Sequence, residues 1–134
     1  MRFILLLALL VPFVALAESP VPRDDTQLGM NEAAGQRLRA AESEMKTALE
    51  ALARAASGQV AAAPKLLKAQ AAWEAYRDAQ LEALWPSPDI PAYGSAHPMC
   101  VAMLKTQLTE ARVQELHAML APQEGDVCGS RWPD

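Results

Sequence analysis

The sequence predicts an all-α fold, a small helical bundle of three main helices, and three observations support this prediction. Apolar residues recur at steps of three and four over long stretches, which is the spacing of one helix face. Helix breakers interrupt these stretches at Ser57-Gly58 and again between Pro86 and Pro98. No stretch alternates apolar and polar residues for long enough to predict a strand.

The first 17 residues are predicted to be a signal peptide that precedes the domain. Arg2 is the positive n-region, residues 3–16 are the apolar segment, and Ala15-Leu16-Ala17 is a small-x-small site with cleavage expected after Ala17. The apolar run is shorter than the roughly 20 residues of a membrane-spanning helix. We therefore expect a periplasmic or secreted protein with no stable membrane anchor after cleavage. Residues 18–25 are then a flexible lead-in, and residues 26–134 are the helical domain.

The balance of charges disfavours one class of partner. The formal net charge is −4, and removal of Arg2 with the signal peptide would leave 11 basic against 16 acidic residues. Nucleic acid is recognised through a basic patch, so no nucleic-acid partner is expected. The acidity is compatible with a basic protein partner, although solubility alone explains a mild acidity equally well.

The first helix is expected to begin near Asp25 or Thr26, because either side chain can cap the first backbone amides. An apolar seam at alternating steps of four and three then predicts an amphipathic helix of about eight turns. Its members are Met30, Ala34, Leu38, Ala41, Met45, Leu49 or Ala48, and Leu52. Ser57-Gly58 is expected to end this helix.

The second helix is predicted to start around Pro64, which suits a first helical turn, and to end at Trp85-Pro86. The short connection makes the first two helices an antiparallel hairpin. One face of the second helix mixes aromatic and polar side chains: Gln70, Trp73, Tyr76 or Arg77, Gln80 and Leu84. Because an unpaired buried donor costs about 1–3 kcal/mol, this face predicts a polar network between the helices.

The segment from Pro86 to Pro98 contains four prolines and one glycine, which predicts a stiff, irregular loop. Such a loop is either a binding element or a rigid spacer that turns the chain. A third helix is expected from about Pro98 to Leu120, with Pro122 ending it. It carries one apolar seam of Val101, Leu104, Leu108 and Ala111, and a second of Val113, Leu116 and Leu120.

Several short motifs occur together along the chain. The most specific is Gln70-x-x-Trp73-x-x-Tyr76-Arg77-Asp78. The others are Gln27-x-x-Met30-Asn31, Gly94-Ser95, Met99-Cys100 and Thr109-x-x-Arg112-x-x-x-Leu116. In this order they resemble the LprI-type lysozyme inhibitor family, a domain of secreted bacterial proteins, and the resemblance covers most of the chain after the signal peptide. It marks these positions as a family signature without implying that they touch a ligand.

The chain departs from that family at two positions. Family members usually carry a cysteine where this chain has Ala33 and another where it has Leu81. Joint absence is expected if the two cysteines form a disulfide in relatives, because a single survivor would be a reactive thiol. The resemblance therefore implies that positions 33 and 81 lie close together, which supports an antiparallel first pair of helices.

Cys100 and Cys128 are the chain's two cysteines, and in an exported protein they have one natural pairing. We expect a disulfide that tethers the C-terminal tail to the third helix and stabilises the fold by about 3–4 kcal/mol. A metal or redox site is the competing interpretation. It is disfavoured because the sequence contains neither Cys-x-x-Cys nor Cys-x-x-Cys-His.

Arg77 and Arg112 lie beside apolar positions, and each guanidinium has five donors with which to join carboxylates across an interface. The candidate acceptors are Asp78, Glu74, Glu42 and Glu110. A structural network is favoured over a ligand site. Trp73 and Tyr76 are expected to be core aromatics whose polar groups join this network.

Other chemistry is weakly supported. His97, Met99, Cys100 and Met103 suggest a soft metal, but a disulfide would remove the best ligand and methionine is a common core filler. We therefore expect no metal and no cofactor. Phosphate-loop, nucleophile-elbow and zinc-protease motifs are missing from the sequence, and it has two histidines to act as bases, so an enzyme is not predicted.

The resemblance implies an exported binding protein like the lysozyme inhibitors, with a lysozyme as its protein partner. The expected mechanism is occlusion of the active-site cleft by the stiff loop. Its residues Tyr93, Gly94, Ser95 and His97 are the candidates to contact the catalytic carboxylates. One alternative is a non-inhibitory, stress-linked envelope adaptor that binds another protein through an apolar groove. A weaker alternative is a small-molecule or metal sensor.

Overall fold

Three α-helices make up the described part of the protein in a computed structural model, which covers residues 25–121 together with Gly125, Val127 and Cys128. The helices are α1 (Gln27–Ala55), α2 (Ala62–Leu84) and α3 (His97–Leu120), and a short 3-10 helix (Ile90–Tyr93) lies between α2 and α3. No strand occurs among the described residues, so the all-α prediction is confirmed. The predicted signal peptide, and the lead-in up to residue 24, lie outside the described residues.

The helix boundaries follow from local chemistry. The Thr26 hydroxyl oxygen accepts a hydrogen bond from the Gly29 amide at 3.1 Å and so caps α1, as predicted. Pro64 lies in the first turn of α2, and α2 ends directly before Trp85-Pro86. Pro98 occupies the first turn of α3. None of these three helices is long and apolar enough to cross a membrane.

The helices run up, down and up. Asn31 near the start of α1 contacts Ser95 just before α3, while Leu52 near the end of α1 packs with Leu116 near the end of α3. Therefore α1 and α3 are parallel. They form the closely packed pair of the bundle, and α2 lies against both with wider spacing. Gln70 contacts Met45 and Arg77 contacts Glu42, so α2 is antiparallel to α1, as expected.

The apolar core is concentrated at the end where α1 finishes, α2 begins and α3 finishes. Its buried members are Met45, Ala48, Leu52, Leu66, Val113 and Leu116. Leu52 and Leu116 have no solvent-exposed surface. Since burial of a large aliphatic side chain contributes about 1.5–3 kcal/mol, this end anchors the bundle. The opposite end, where α2 joins α3, is held by polar and aromatic contacts.

The predicted apolar seam of α3 is wrong in its first half. Ala102, Thr106 and Thr109 face the core, whereas Val101, Leu104 and Leu108 are half-buried and Ala111 is exposed. The two threonine hydroxyls donate to the carbonyls of Ala102 and Lys105 one turn earlier, at 2.7 and 2.8 Å. Their polar atoms are therefore satisfied within the helix, and the methyl groups can pack inward.

The predicted disulfide between Cys100 and Cys128 is wrong, because both residues are exposed and form no disulfide. Cys100 is in the first turn of α3, and Cys128 follows its end. Cys100 and Ala121, the residue that follows α3, are 21 residue steps apart, which is a rise of about 31 Å. Seven residues would have to be fully extended, to about 25 Å, to return along that length. Val127 and Cys128 lie instead in turns.

Candidate functional site

Gln70 on α2 joins side chains of all three helices. Its amide nitrogen lies 3.3 Å from the Met45 sulfur on α1 and donates to a carboxylate oxygen of Glu74 at 3.0 Å. Its amide oxygen accepts from Nε of Arg112 on α3 at 3.3 Å. Gln70 is 5% exposed, so these partners satisfy a buried amide. This contact fixes the register of α2 against the α1–α3 pair.

The Trp73 ring contacts two guanidinium groups, and Arg77 extends the same contacts toward α1. The guanidinium carbons of Arg77 and Arg112 lie 5.3 and 5.9 Å from the Trp73 ring centroid, within cation–π range. Nε of the buried Arg77 donates to Asp78 at 3.0 Å, and Nη1 lies 3.9 Å from Glu42. The contacts therefore cross the interface between α1 and α2.

Tyr76 does not belong to this network. It is 61% exposed and points away from the bundle, which corrects the expectation that it is a core aromatic. Trp73 and Arg77, at the four-residue step, take the inward positions, and Tyr76 is rotated out of that face. The helical pattern allowed either Tyr76 or Arg77 on the inner face of α2, and the structure places Arg77 there.

Three rings brace the loop between α2 and α3. The Tyr93 and His97 rings stack with centroids 4.8 Å apart, and the Trp85 ring meets His97 edge-on at 5.3 Å. The Ser87 amide donates to the Tyr93 hydroxyl oxygen at 2.7 Å. This cluster ties the start of the loop to its end. Tyr93 and His97 are accordingly half-buried rather than projecting into solvent.

The loop is also tied to the start of α1 through two motifs that the sequence places more than sixty residues apart. The Asn31 side-chain amide donates to the Ser95 carbonyl at 3.1 Å, and Gln27 donates to the Asn31 side-chain oxygen at 2.9 Å. Gly94 turns the chain here with φ 81° and ψ 177°, a conformation that is essentially restricted to glycine. The motif residues thus act by holding the loop in one shape.

These contacts create a distinct surface, which we call the loop end: residues 25–34, 80–84 and the loop 85–96. It contains no lysine or arginine. Its four carboxylates are all exposed: Asp25, Glu32, Glu82 and Asp89. Four large apolar side chains are at least 40% exposed on it: Leu28, Met30, Leu84 and Ile90. Acidic groups around exposed apolar ones are typical of a protein-docking surface.

A groove lies at the opposite end of the bundle from the loop end, between the start of α2 and the end of α3. This groove has a volume of about 500 Å³. Leu66, Ala69 and Met119 line its apolar part, and Lys65 and Arg112 contribute cationic groups.

The structure places the residues considered for a metal in different surroundings. Within residues 25–121, 125, 127 and 128, no three His, Cys, Asp or Glu side chains are placed to hold a metal ion together. His97 is engaged with Tyr93 and Trp85, and Cys100 and Met103 are exposed on α3. The cluster seen in the sequence is therefore spread over different surroundings.

The comparison with protein families decides the family. The model of the lysozyme inhibitor LprI matches residues 19–116, which is more than half of the chain. The chain belongs to the LprI lysozyme inhibitor family. This confirms the resemblance carried by the sequence motifs, and it makes an inhibitor-like, protein-binding function the family-level assignment. No curated protein and no solved structure matches the chain.

Two features of the loop end are not evident in the LprI motifs. Trp85 reads in the sequence as the end of a helix, yet its ring completes the aromatic brace. The four carboxylates are separated by up to 64 positions in the chain, from Asp25 to Asp89, and come together because α2 returns antiparallel to α1. The positions of the charged residues on the predicted helical hairpin are the signal that could have identified this surface.

Proposed function

We propose that this chain is an exported lysozyme inhibitor that docks on its target through the loop end. Membership of the LprI family supports inhibition, and the composition of the loop end supports the choice of surface. Four exposed carboxylates, on a surface whose described residues include no lysine or arginine, would attract a basic enzyme and orient its approach.

The apolar groups of the loop end would supply the contact itself. Leu28, Leu84 and Ile90 are 66%, 55% and 50% exposed, and burial of such side chains is the main favourable term in association. Their position among carboxylates matches an interface with an apolar centre and a polar rim.

The loop would enter the cleft as a preformed wedge. Gly94 and Ser95 are exposed, while the stacked Tyr93 and His97 rings hold them in place from below. A segment that is already ordered loses little conformational entropy on binding. The Ser95 hydroxyl is then the loop's exposed donor toward the paired carboxylates that define a lysozyme active site.

A turbidity assay of lysozyme activity over a concentration series of the purified protein tests this function. Inhibition at micromolar concentration is expected. Replacing both Tyr93 and Ser95 with Ala should weaken inhibition strongly, because one change loosens the brace and the other removes the donor. Ser57→Ala, at the exposed turn after α1, is the matched control and should inhibit like the parent. Full inhibition by the loop variant would contradict the role of the loop.

The second candidate is a non-inhibitory envelope adaptor, and the groove beside Leu66 and Met119 is the observation that favours it. An adaptor of this kind would show no inhibition of lysozyme at any concentration in the same assay. That result would move the assignment away from inhibition while leaving the LprI family unchanged.

A further inference from the structure

The buried side of α2 is more polar than that of an ordinary surface helix. Two of the three residues that it buries are polar, Gln70 and Arg77, and the third is Leu66. Eight of its 23 residues are alanines, and most of them face solvent. Part of the outer side of α2 is therefore apolar, and none of the other described residues buries it.

That outer face consists of Ala69, Ala72, Tyr76, Ala79 and Ala83, and we call it the Tyr76 face. All five residues are exposed, and they follow one another at alternating steps of three and four. This is the a/d spacing by which one helix packs along another. Tyr76 at its centre is 61% exposed, an unusual placement for a large aromatic ring.

We propose that the Tyr76 face binds a second copy of this chain, giving a two-fold symmetric dimer in which the two α2 helices run antiparallel. When the pairing is centred near Glu74, the Tyr76 ring of each copy lies over Ala72 of the other. A large ring then packs against a small alanine side chain on both sides of the two-fold axis, and the flanking alanines allow the two helices to approach closely. A two-fold axis makes each contact twice.

The charges beside this face select the second copy as the occupant. Lys68 and Glu82 flank the same edge of the Tyr76 face, one toward each end of α2. In the antiparallel pairing, Lys68 of one copy lies beside Glu82 of the other, and the reverse pair forms at the other end. Neither residue forms an ion pair with another described residue, so both are available. A parallel pairing would place Lys68 of one copy about 14 residues along the helix from Glu82 of the other, so neither ion pair could form.

The arrangement leaves the start of α1 and the loop 85–96 of each copy accessible, although Glu82 and Ala83 of the loop end lie at the dimer contact. Each loop end lies at the C-terminal end of α2, and 23 residues of helix span about 35 Å. An antiparallel pair therefore directs the two loop ends away from each other, at opposite ends of the dimer. The dimer does not depend on the lysozyme proposal, and its test requires no lysozyme.

Sedimentation equilibrium of the purified protein over a micromolar concentration series tests the dimer. A concentration-dependent monomer–dimer equilibrium is expected for the parent. Tyr76→Glu should give a monomer at every concentration, because it places two carboxylates near the symmetry axis. Leu67→Glu, at a 65% exposed position on a different side of α2, is the matched control and should dimerise like the parent. Circular dichroism checks that both variants are folded.

A charge exchange tests the antiparallel register. Lys68→Glu and Glu82→Lys should each weaken dimerisation by about tenfold at low salt, since each turns two attractive pairs into two repulsive ones. The double variant exchanges the charges and should restore the affinity of the parent. A parent that remains monomeric throughout, or a double variant as weak as the single ones, would overturn the proposal.

Discussion

Trp73 and Tyr76 lie three residues apart on α2, yet the first packs between helices and the second lies at the surface. The Trp73 ring contacts the guanidinium groups of Arg77 and Arg112, whereas the Tyr76 ring is largely exposed to solvent. Both residues belong to the LprI motif on α2, yet of these two only the tryptophan contacts another helix in the monomer. Motif membership therefore does not determine what a side chain does.

The Trp73→Ala variant should lose about 3 kcal/mol of unfolding free energy, at the low end of the range for truncation of a tryptophan because the ring is partly exposed. Two guanidinium groups would also lose the ring that they cover. Urea unfolding followed by circular dichroism measures the change. Tyr76→Ala is the control and should change stability by less than about 0.5 kcal/mol at a protein concentration where the chain is monomeric. Equal losses in the two variants would contradict the placement of these rings.

At the scale of the element, α2 contains two glutamines on its inner side with opposite hydrogen-bonding states. Gln70 contacts Met45, Glu74 and Arg112, whereas the side-chain oxygen of Gln80 is buried with no hydrogen-bond partner among the residues that the structure describes. A satisfied buried amide stabilises a fold, and an unsatisfied one costs free energy.

Replacing each glutamine with leucine should therefore have opposite effects. Gln70→Leu leaves Nε of Arg112 without its acceptor and should cost about 1–3 kcal/mol. Gln80→Leu removes an unpaired oxygen and should be neutral or slightly stabilising. Thermal and urea unfolding of the two variants, measured side by side, check this difference. A comparable loss in Gln80→Leu would show that its oxygen has a partner in solution.

The helices could be predicted from the sequence to within a few residues, since capping at Thr26 and the break at Trp85-Pro86 depend on local chemistry. The inner face of α3 could not, because Thr106 and Thr109 are buried only after their hydroxyls bond to their own helix. The prediction of a disulfide was wrong for a different reason. Pairing by cysteine count ignores distance, and α3 separates Cys100 from Cys128 by its own length.

The whole molecule has an asymmetry that no single helix reveals. The apolar core around Leu52 and Leu116 lies at one end, and the acidic, partly apolar loop end lies at the other. The candidate loop residues were identifiable in the sequence from proline content. The surface around them was not, because it forms only when the start of α1, the end of α2 and the loop come together through Asn31 and Ser95.

If the loop end steers the chain toward a basic lysozyme, the position of its carboxylates should matter and not their number alone. Glu32→Lys combined with Asp89→Lys should weaken inhibition and slow association, because the reversal lies on the docking surface. Glu44→Lys combined with Glu50→Lys makes the same change in net charge farther along α1, away from the loop end, and should have a much smaller effect.

Raising ionic strength from about 0.01 M to about 1 M shortens the screening length from about 30 Å to about 3 Å and should reduce the difference between the two variants. Stopped-flow association with lysozyme, measured at both salt concentrations, gives the comparison. Equal effects of the two charge reversals at low salt would show that net charge, and not the loop end, directs the encounter.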